Sequence, residues 1–503
     1  MFDNVSSGFE LFFTPSGLAL TALGCFLGLV IGVLPGLGPL MGIILLTPVA
    51  FYLEPVVGMG LLIAIYVGGS CGGAISAILL RIPGTPLAAA TLLDGYPMAQ
   101  KGRAAEAVGL AISSSALGGL IGGVVLILLS PVLADFALNF GPFEYFALTL
   151  LGMISIAVVS RESTLKGLMA ACLGLLLATV GADKFTQFNR FTFDSDFLLA
   201  GFHLVAIIVG LFAFSEVFRE IESGGLNTSK KVGSVRVSFS SIRQVIKNPI
   251  NLTRSSLIGT FFGALPGAGG VISSFTSYAV AKAHAKPGEH YGEGEAGGVI
   301  ATESANNACC GGSLIPSLAL AVPGDAVCAV LMGSLILLGF FPGPDLFEKN
   351  GDVVGGIFLA YIFANIVLIF IGIWLAPVFS SVVNLKKRYL IPIIVLLSTV
   401  GTYSLQSSMF DLWTMLLFGV VGYFLRKYDF PLAPVVIGLV LGPLCEENLR
   451  RSLIFSGGDY GVFFDRPISA TVMLINVALL MLIFMPKKLK PLNFLSKMAR
   501  RKT

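Results

Sequence analysis

The densest polar run in this chain lies at residues 301–313, Ala-Thr-Glu-Ser-Ala-Asn-Asn-Ala-Cys-Cys-Gly-Gly-Ser, between apolar stretches. Its hydroxyl and amide groups suit an anion or a sodium ion, because neutral donors and acceptors hold an ion without burying further charge. Asn306 and Asn307 are candidate substrate ligands, and Ser304 and Asn306 candidate ion ligands. Asp325 follows directly on Pro323 and Gly324. A carboxylate at membrane depth reads first as a coupling group for a proton or cation, with a helix N-cap as the structural alternative. Glu303 is balanced between the same kind of role and a cap, if its segment begins there.

Proline followed by glycine recurs at Pro35–Gly36, Pro83–Gly84, Pro266–Gly267 and Pro323–Gly324, each near the end of an apolar run. Proline removes an amide donor and glycine permits positive φ, so a membrane helix interrupted there exposes free peptide groups. In hydrocarbon such breaks are tolerated only where they face protein or a water-filled cavity. Pro35, Pro83, Pro266, Gly267 and Pro323 are therefore expected to mark breaks. Gly36, Gly38, Ser70, Gly84, Thr85 and Gly324 join Asn306 and Asn307 as expected substrate-binding positions. Free amides at half-helix N-termini suit a carboxylate, and exposed carbonyls a cation. The series Gly24, Gly28, Gly32 and Gly259, Gly263 reads as close helix packing instead.

Other polar groups carry less. Arg81 reads as an interfacial, snorkelling side chain, and Asp94, Lys101, Arg103 and Glu106 as an ordinary solvated loop. His284, Lys286, Glu289, His290, Glu293 and Glu295 form a mixed polar linker. The seven cysteines lie in or beside apolar segments without metal-ligand spacing to the three histidines, and read as small packing residues. Neither a Walker A sequence nor a hydrolase constellation is present, so the chain is not expected to be an enzyme or to need a cofactor, and no metal beyond sodium is expected.

The elements that position these groups are membrane helices. Of 503 residues 55% are hydrophobic and 12% charged, with mean hydropathy +0.89; soluble chains carry about 25% charged residues. That excludes disorder, nucleic-acid binding and a soluble enzyme. Apolar runs near 18–33, 56–80, 108–129, 143–159, 165–180, 198–218, 257–280, 314–341, 353–383, 390–403, 412–425, 432–444 and 468–485 predict an all-α polytopic protein. About 11–14 membrane segments follow from the length a bilayer requires, some of them broken helices or re-entrant hairpins. The longest polar stretch, 219–254, and the tail beyond residue 485 are basic. Both are expected in the cytoplasm, which puts the C-terminus there. The first 80 residues carry no Lys or Arg, which favours a non-cytoplasmic N-terminus.

A repeat runs through the chain. Gly-Val-Leu-Pro-Gly-Leu-Gly at 32–38 matches Gly-Ala-Leu-Pro-Gly-Ala-Gly at 263–269, 231 residues on. Cys-Gly-Gly at 71–73 and 310–312, Pro-Gly at 83–84 and 323–324, and Pro-Val at 131–132 and 377–378 follow in the same order at offsets of 239, 240 and 246. The expected organisation is a first transmembrane repeat at 1–218, a basic loop at 219–254, a second repeat at 255–464, and a last helix with a basic tail at 465–503. Paired broken segments in two halves, here expected to be inverted, point to a secondary-transporter binding site.

At these residues the chain resembles the large membrane subunit of the bacterial tripartite tricarboxylate transporter family. The resemblance is carried by 32–38, by Tyr-Val-Gly-Gly-Ser-Cys-Gly-Gly-Ala at 66–74, by Ile-Pro-Gly-Thr-Pro at 82–86 and by Asp-Gly-Tyr-Pro at 94–97. In the second half it is carried by 263–269, by Glu-Ser-Ala-Asn-Asn-Ala at 303–308 and by Val-Pro-Gly-Asp at 322–325. The resemblance implies a permease subunit in a bacterial inner membrane, importing a carboxylate such as citrate by sodium or proton symport. It also implies two partners, a small membrane subunit of about four helices and a periplasmic solute-binding protein. The alternative within the same class is an autonomous symporter that needs no binding protein, and behind it a passive channel.

Overall fold

A computed structural model describes residues 2–34, 37–159, 164–183, 185–222, 235–266, 269–382 and 390–484, and these are predominantly helical. The first part contains α1 (Phe2–Phe12), α2 (Pro15–Val33), α3 (Gly38–Phe51), α4 (Pro55–Leu80), α5 (Leu92–Met98) and α6 (Ala104–Ala137). Next come α7 (Pro142–Val159), α8 (Thr164–Ala178), α9 (Leu204–Val209), α10 (Ser215–Glu222), α11 (Ser240–Ile246), α12 (Pro249–Ala264) and α13 (Gly269–Ala283). The remainder is α14 (Ala296–Leu320), α15 (Ala326–Leu337), α16 (Pro344–Lys349), α17 (Gly351–Trp374), α18 (Ala376–Val382), α19 (Leu390–Gln406), α20 (Met409–Lys427), α21 (Ala433–Phe455), α22 (Val462–Asp465) and α23 (Pro467–Phe484). One two-residue strand pair, Gly181–Ala182 with Asn189–Arg190, is the β-structure among the described residues. Five helical stretches there are long and apolar enough to span a bilayer, and six shorter apolar helices accompany them. The protein is an all-α, multi-pass membrane protein.

The core is α4 and α14. Nearly every residue of both is buried, so neither is a lipid-facing helix. α4 packs on α2, α3 and α17, and α14 on α6, α12 and α13. Glycine makes these approaches possible. A Cβ on Gly28 would lie 2.6 Å from the Ile65 carbonyl oxygen, and one on Gly32 2.2 Å from that of Gly69. In the second half, a Cβ on Gly259 would lie 2.3 Å from the Ala305 carbonyl oxygen, and one on Gly263 2.4 Å from that of Cys309. These are the same contacts at offsets of 231 and 240 residues. The two core helices run antiparallel: α5 meets Ile78 near the end of α4 through Gly95, and Gly298 near the start of α14 through Asp94.

Helix continuity holds through both repeated Gly-Gly pairs and departs from the apolar pattern at the start of one core helix. The Gly-Gly pairs at 72–73 and 311–312 do not break their helices; α4 and α14 run straight through them. These glycines make room for neighbouring backbone, the Leu29 and Thr260 carbonyls lying 2.6 and 2.3 Å from Cβ positions at Gly72 and Gly312. Nor does a segment begin at Glu303 or 314. α14 starts at Ala296, because most of its polar side chains find partners inside a protein-surrounded helix that hydropathy alone reads as non-membrane. The breaks that do occur lie after α4 and α14. Arg81 and Ala321 end the two helices with φ of 62° and 56°, a left-handed conformation that costs a non-glycine residue about 1–2 kcal/mol. Pro83 and Pro323 follow two residues later and prevent continuation. α2 and α12 end immediately before the next Leu-Pro-Gly, so Pro266 stands two residues beyond the end of α12. Pro35, Gly36 and Gly267 lie outside the described residues, as do 223–234 of the basic loop and the basic tail from 485.

The outer helices sort charge between two ends. At one end Lys166 donates to the Tyr428 carbonyl at 2.6 Å, Lys427 pairs with Glu222 at 2.9 Å, and Lys101 donates to the Glu293 carbonyl at 2.6 Å. At the other, Arg450 pairs with Asp183 at 2.8 Å, Arg190 with Glu446 at 2.7 Å, and Arg466 with Glu144 at 3.3 Å. Asp183 lies in the connection between α8 and α9. The hydroxyl of Thr186, the amide of Phe185 and the Arg450 guanidinium hold its carboxyl well below the usual range.

Candidate transport site

Where α4 crosses α14, side chains of the two halves meet directly. Asn306 Nδ2 donates to the Ser70 carbonyl at 3.2 Å, and Cys310 Sγ to Ser70 Oγ at 3.3 Å. One helical turn away, the Tyr66 hydroxyl donates to Asp325 Oδ2. The glycine contacts set the register at 240 residues, one more than the Cys-Gly-Gly match in the sequence, and that shift carries Tyr66 onto Asn306 and Ser70 onto Cys310. The crossing therefore sets each residue near its partner's counterpart, as antiparallel pairing of similar helices would. Asp325 is also the N-cap of α15, its Oδ1 accepting from the Cys328 amide at 2.8 Å. Its carboxylate thus divides between a cap and a link to the first half.

The Pro-Gly steps lie against this crossing. Gly84 donates its amide to the Gly73 carbonyl at 3.1 Å, and Gly324 to Ser317 Oγ at 3.3 Å. Thr85 packs on Gly73, and Gly38, with φ of +66°, opens α3 beside its methyl group. Three buried oxygens in this region have no protein hydrogen-bond partner: Thr85 Oγ1, Ser304 Oγ and Asn306 Oδ1. Thr85 is the counterpart of Asp325, and Asn306 that of Tyr66. The link made on one side by Tyr66 and Asp325 has no equivalent on the other, where both groups are left with spare acceptors. Buried polar groups are normally satisfied, so these atoms are candidates for contact with a transported species.

The structure brings Ser70, Asn306, Gly324 and Asp325 together, and Gly38, Gly84 and Thr85 into a second group at the first Pro-Gly step. Asn307 touches the first group only through Cys310, whose Sγ lies 3.9 Å from its Oδ1, and otherwise turns to α17. Its carbonyl accepts from the Tyr361 hydroxyl at 2.9 Å and its amide nitrogen lies 3.4 Å from Asn365 Oδ1, both on α17. Ser304 sits against Gly118 of α6. Tyr66, Thr91, Ser115, Tyr361 and Asn365 are polar groups of this region that sequence reasoning passed over. Tyr66, Thr91, Tyr361 and Asn365 are each a lone polar residue in an apolar or small-residue run and Ser115 closes a run of three serines; polar groups at membrane depth were the available signal.

Asp94 corrects the solvated-loop reading. It is 1% exposed, and its Oδ1 accepts from the amides of Gly292, Gly294 and Glu295, each at 2.8 Å. It thereby ties the linker before α14 to the first half. Lys101, Arg103 and Glu106 are exposed or partly so, with Arg103 and Glu106 paired at 2.7 Å.

Across residues 18–437 the sequence matches the description "Tripartite tricarboxylate transporter TctA family". The chain belongs to this family. Among TctA-like relatives is an uncharacterized 52.8 kDa protein in the TAR-I ttuC' 3' region of Agrobacterium vitis, 37% identical over 491 residues and 97% of each chain. An uncharacterized protein in the TAR-II ttuC' 3' region of the same organism is 36% identical over 228 residues, covering 45% of this chain and 94% of its own. TctA membership makes the chain a component of a tripartite tricarboxylate transporter and points to transport rather than enzymatic chemistry.

Proposed function

We propose that this chain is the permease subunit of a binding-protein-dependent secondary transporter that imports a carboxylate, citrate or a related organic acid, by sodium or proton symport. The observation that carries the reading is the meeting of the two family-typical segments at Ser70, Asn306 and Asp325, deep in a multi-pass bundle, with spare acceptors at Thr85 and Asn306. The residues assigned to substrate are Gly36, Gly38, Ser70, Gly84, Thr85, Asn306, Asn307 and Gly324; those assigned to the coupling ion are Ser304, Asn306 and Asp325. The recurring glycine contacts and the antiparallel core helices favour an inverted repeat, 1–218 and 255–464, joined by the cytoplasmic loop 219–254 and followed by 465–503. In that arrangement alternating access moves the α4–α14 bundle against the remaining helices and a small partner subunit. The periplasmic binding protein delivers the substrate in the bacterial inner membrane, with the C-terminus in the cytoplasm.

Uptake of labelled citrate into vesicles containing this chain and the small subunit tests the reading, with and without the cognate binding protein, under imposed ion gradients. Accumulation is expected only with the binding protein present, and Asn306→Ala or Asp325→Ala is expected to abolish it while leaving membrane insertion intact. Accumulation without the binding protein would instead make the chain an autonomous symporter. Equilibration without accumulation would make it a channel.

A further inference from the structure

Glu303 is fully buried on α14, two turns inside the helix and away from any cap. Its hydrogen-bond partners are the hydroxyl of Thr91, on Oε1, the hydroxyl of Ser115 at 2.8 Å and the amide of Asn306 at 3.3 Å, both on Oε2. None is basic, and among the described residues no ion pair includes Glu303. An ionised carboxylate held at such depth by neutral donors alone is costly, and a structural role would be met by glutamine.

The surroundings accept the group with or without a proton. Thr91 Oγ1 lies 3.0 Å from Thr302 Oγ1, and Thr302 donates to the Gly298 or Val299 carbonyl at 3.1 Å. With the carboxylate ionised, Thr91 turns its single proton to Oε1. With a proton on Oε1, the acid donates to Thr91 and Thr91 donates to Thr302. Every hydroxyl proton is used in both states. The Asn306 amide nitrogen is fixed by two acceptors, Glu303 Oε2 and the Ser70 carbonyl, so it presents N–H groups where a sodium ion would need oxygen.

We propose that Glu303 reversibly binds a proton and is a proton-coupling residue of the carrier, joining Ser304, Asn306 and Asp325, which rests on the transport reading above. The step is the association of one proton with one carboxylate oxygen, supplied and removed by the two aqueous phases as access alternates. Its influence reaches the candidate site through Asn306, whose amide nitrogen bridges Glu303 to α4 and whose Oδ1 is one of the unpartnered acceptors. The titratable groups on surrounding elements are Cys71 of α4, Asp94 of α5, Tyr278 of α13 and, further along α14, Cys309 and Cys310. Asp94 is engaged with backbone amides. Glu106 of α6 is paired with Arg103, and Arg254 of α12 is bonded to Asn251.

The deciding experiment is infrared difference spectroscopy of the purified full chain in lipid as pH is varied. A carboxyl C=O band that titrates reversibly and is missing in Glu303→Gln is expected. Ser115→Ala and Thr91→Val keep the acid but remove a donor, and are expected to shift the midpoint of that band. A set of titrating carboxyl bands that is the same in Glu303→Gln as in the wild type overturns the proposal. In vesicles with the small subunit and binding protein, and citrate as probe, Glu303→Gln is expected to lose accumulation driven by a pH gradient while retaining citrate exchange. Accumulation equal to the wild type under that gradient overturns the coupling role. A titrating band together with a wild type that moves no citrate in either mode would count against citrate carriage and leave the proton site standing.

Discussion

A glycine at the crossing of core helices and one in an open turn differ in what they do for this protein. Gly312 lies where any Cβ would sit 2.3 Å from the Thr260 carbonyl oxygen, a backbone atom that cannot turn aside. Gly339 has open space around it and a φ of +91°. Gly312→Ala must separate α12 from α14, a strain of about 1–3 kcal/mol by analogy with overpacked cores, and the distortion falls next to Asn306 and Cys310. Gly339→Ala bears only the left-handed penalty of about 1–2 kcal/mol, far from the crossing. Thermal denaturation of the two purified variants in detergent is expected to show the larger loss for Gly312→Ala, with transport lost in that variant alone. Equal denaturation of Gly312→Ala and wild type would mean that the helices part freely there. The sequence made this class of residue visible, since Gly24, Gly28, Gly32, Gly259 and Gly263 repeat at helical spacing. It did not reveal that Gly72 and Gly312 belong to the same class, because a Gly-Gly pair in a membrane segment reads equally as packing or as a break.

At the scale of elements, what was legible and what was not divides along burial. Apolar runs and Pro-Gly steps located α2, α4, α17 and the ends of α4 and α14, because hydrophobicity and proline act within the local chain. α14 was misplaced at its start, since its polar side chains are paid for by partners from α4, α5 and α6 that no window of sequence contains. Asp94 was missed for the same reason: its role depends on amides about 200 residues away. That role carries a prediction. Asp94 accepts three amide hydrogen bonds from the 292–295 linker, and bonds to charged groups contribute about 1.5–3 kcal/mol each. Asp94→Ala is expected to speed hydrogen exchange at Gly292, Gly294 and Glu295 by at least tenfold, since about 1.4 kcal/mol is a factor of ten. Lys101 and Arg103, which donate to the Glu293 and Gly294 carbonyls, leave those amides untouched. Unchanged exchange at the three amides would mean that the linker is held by these basic side chains instead of by Asp94.

The whole molecule has a polarity that its charges express. α4 and α14 run in opposite directions, so the Pro-Gly steps that follow them approach the crossing from opposite sides. Chain direction through the bundle places Lys101, Lys166, Arg426 and Lys427 at one end, with Arg243 and Lys247 of the α11 region; Gln244 of α11 bonds to Glu106 there. The opposite end carries Arg190, Arg450 and Arg466, each paired with an acid. By the positive-inside rule the excess of basic residues at the first end supports the proposed cytoplasmic placement of that end. α23 starts at the opposite end, where Arg466 meets Glu144, and returns the chain to the basic side, while Gly8 of α1 packs on Gly356 near the start of α17. The orientation proposed above carries with it an N-terminus outside and a C-terminus inside. Lys427→Cys and Asp459→Cys, each compared with the wild type, are expected to separate cleanly under a membrane-impermeant thiol reagent applied to intact cells. Asp459→Cys gains label from outside, whereas Lys427→Cys gains it only after the membrane is opened. The reverse pattern would turn the molecule over and put the Asp94-tied linker on the periplasmic side, where a delivered substrate first arrives. Labelling of both from outside would break the assignment of the two ends to opposite faces, and with it the inverted relation of the halves.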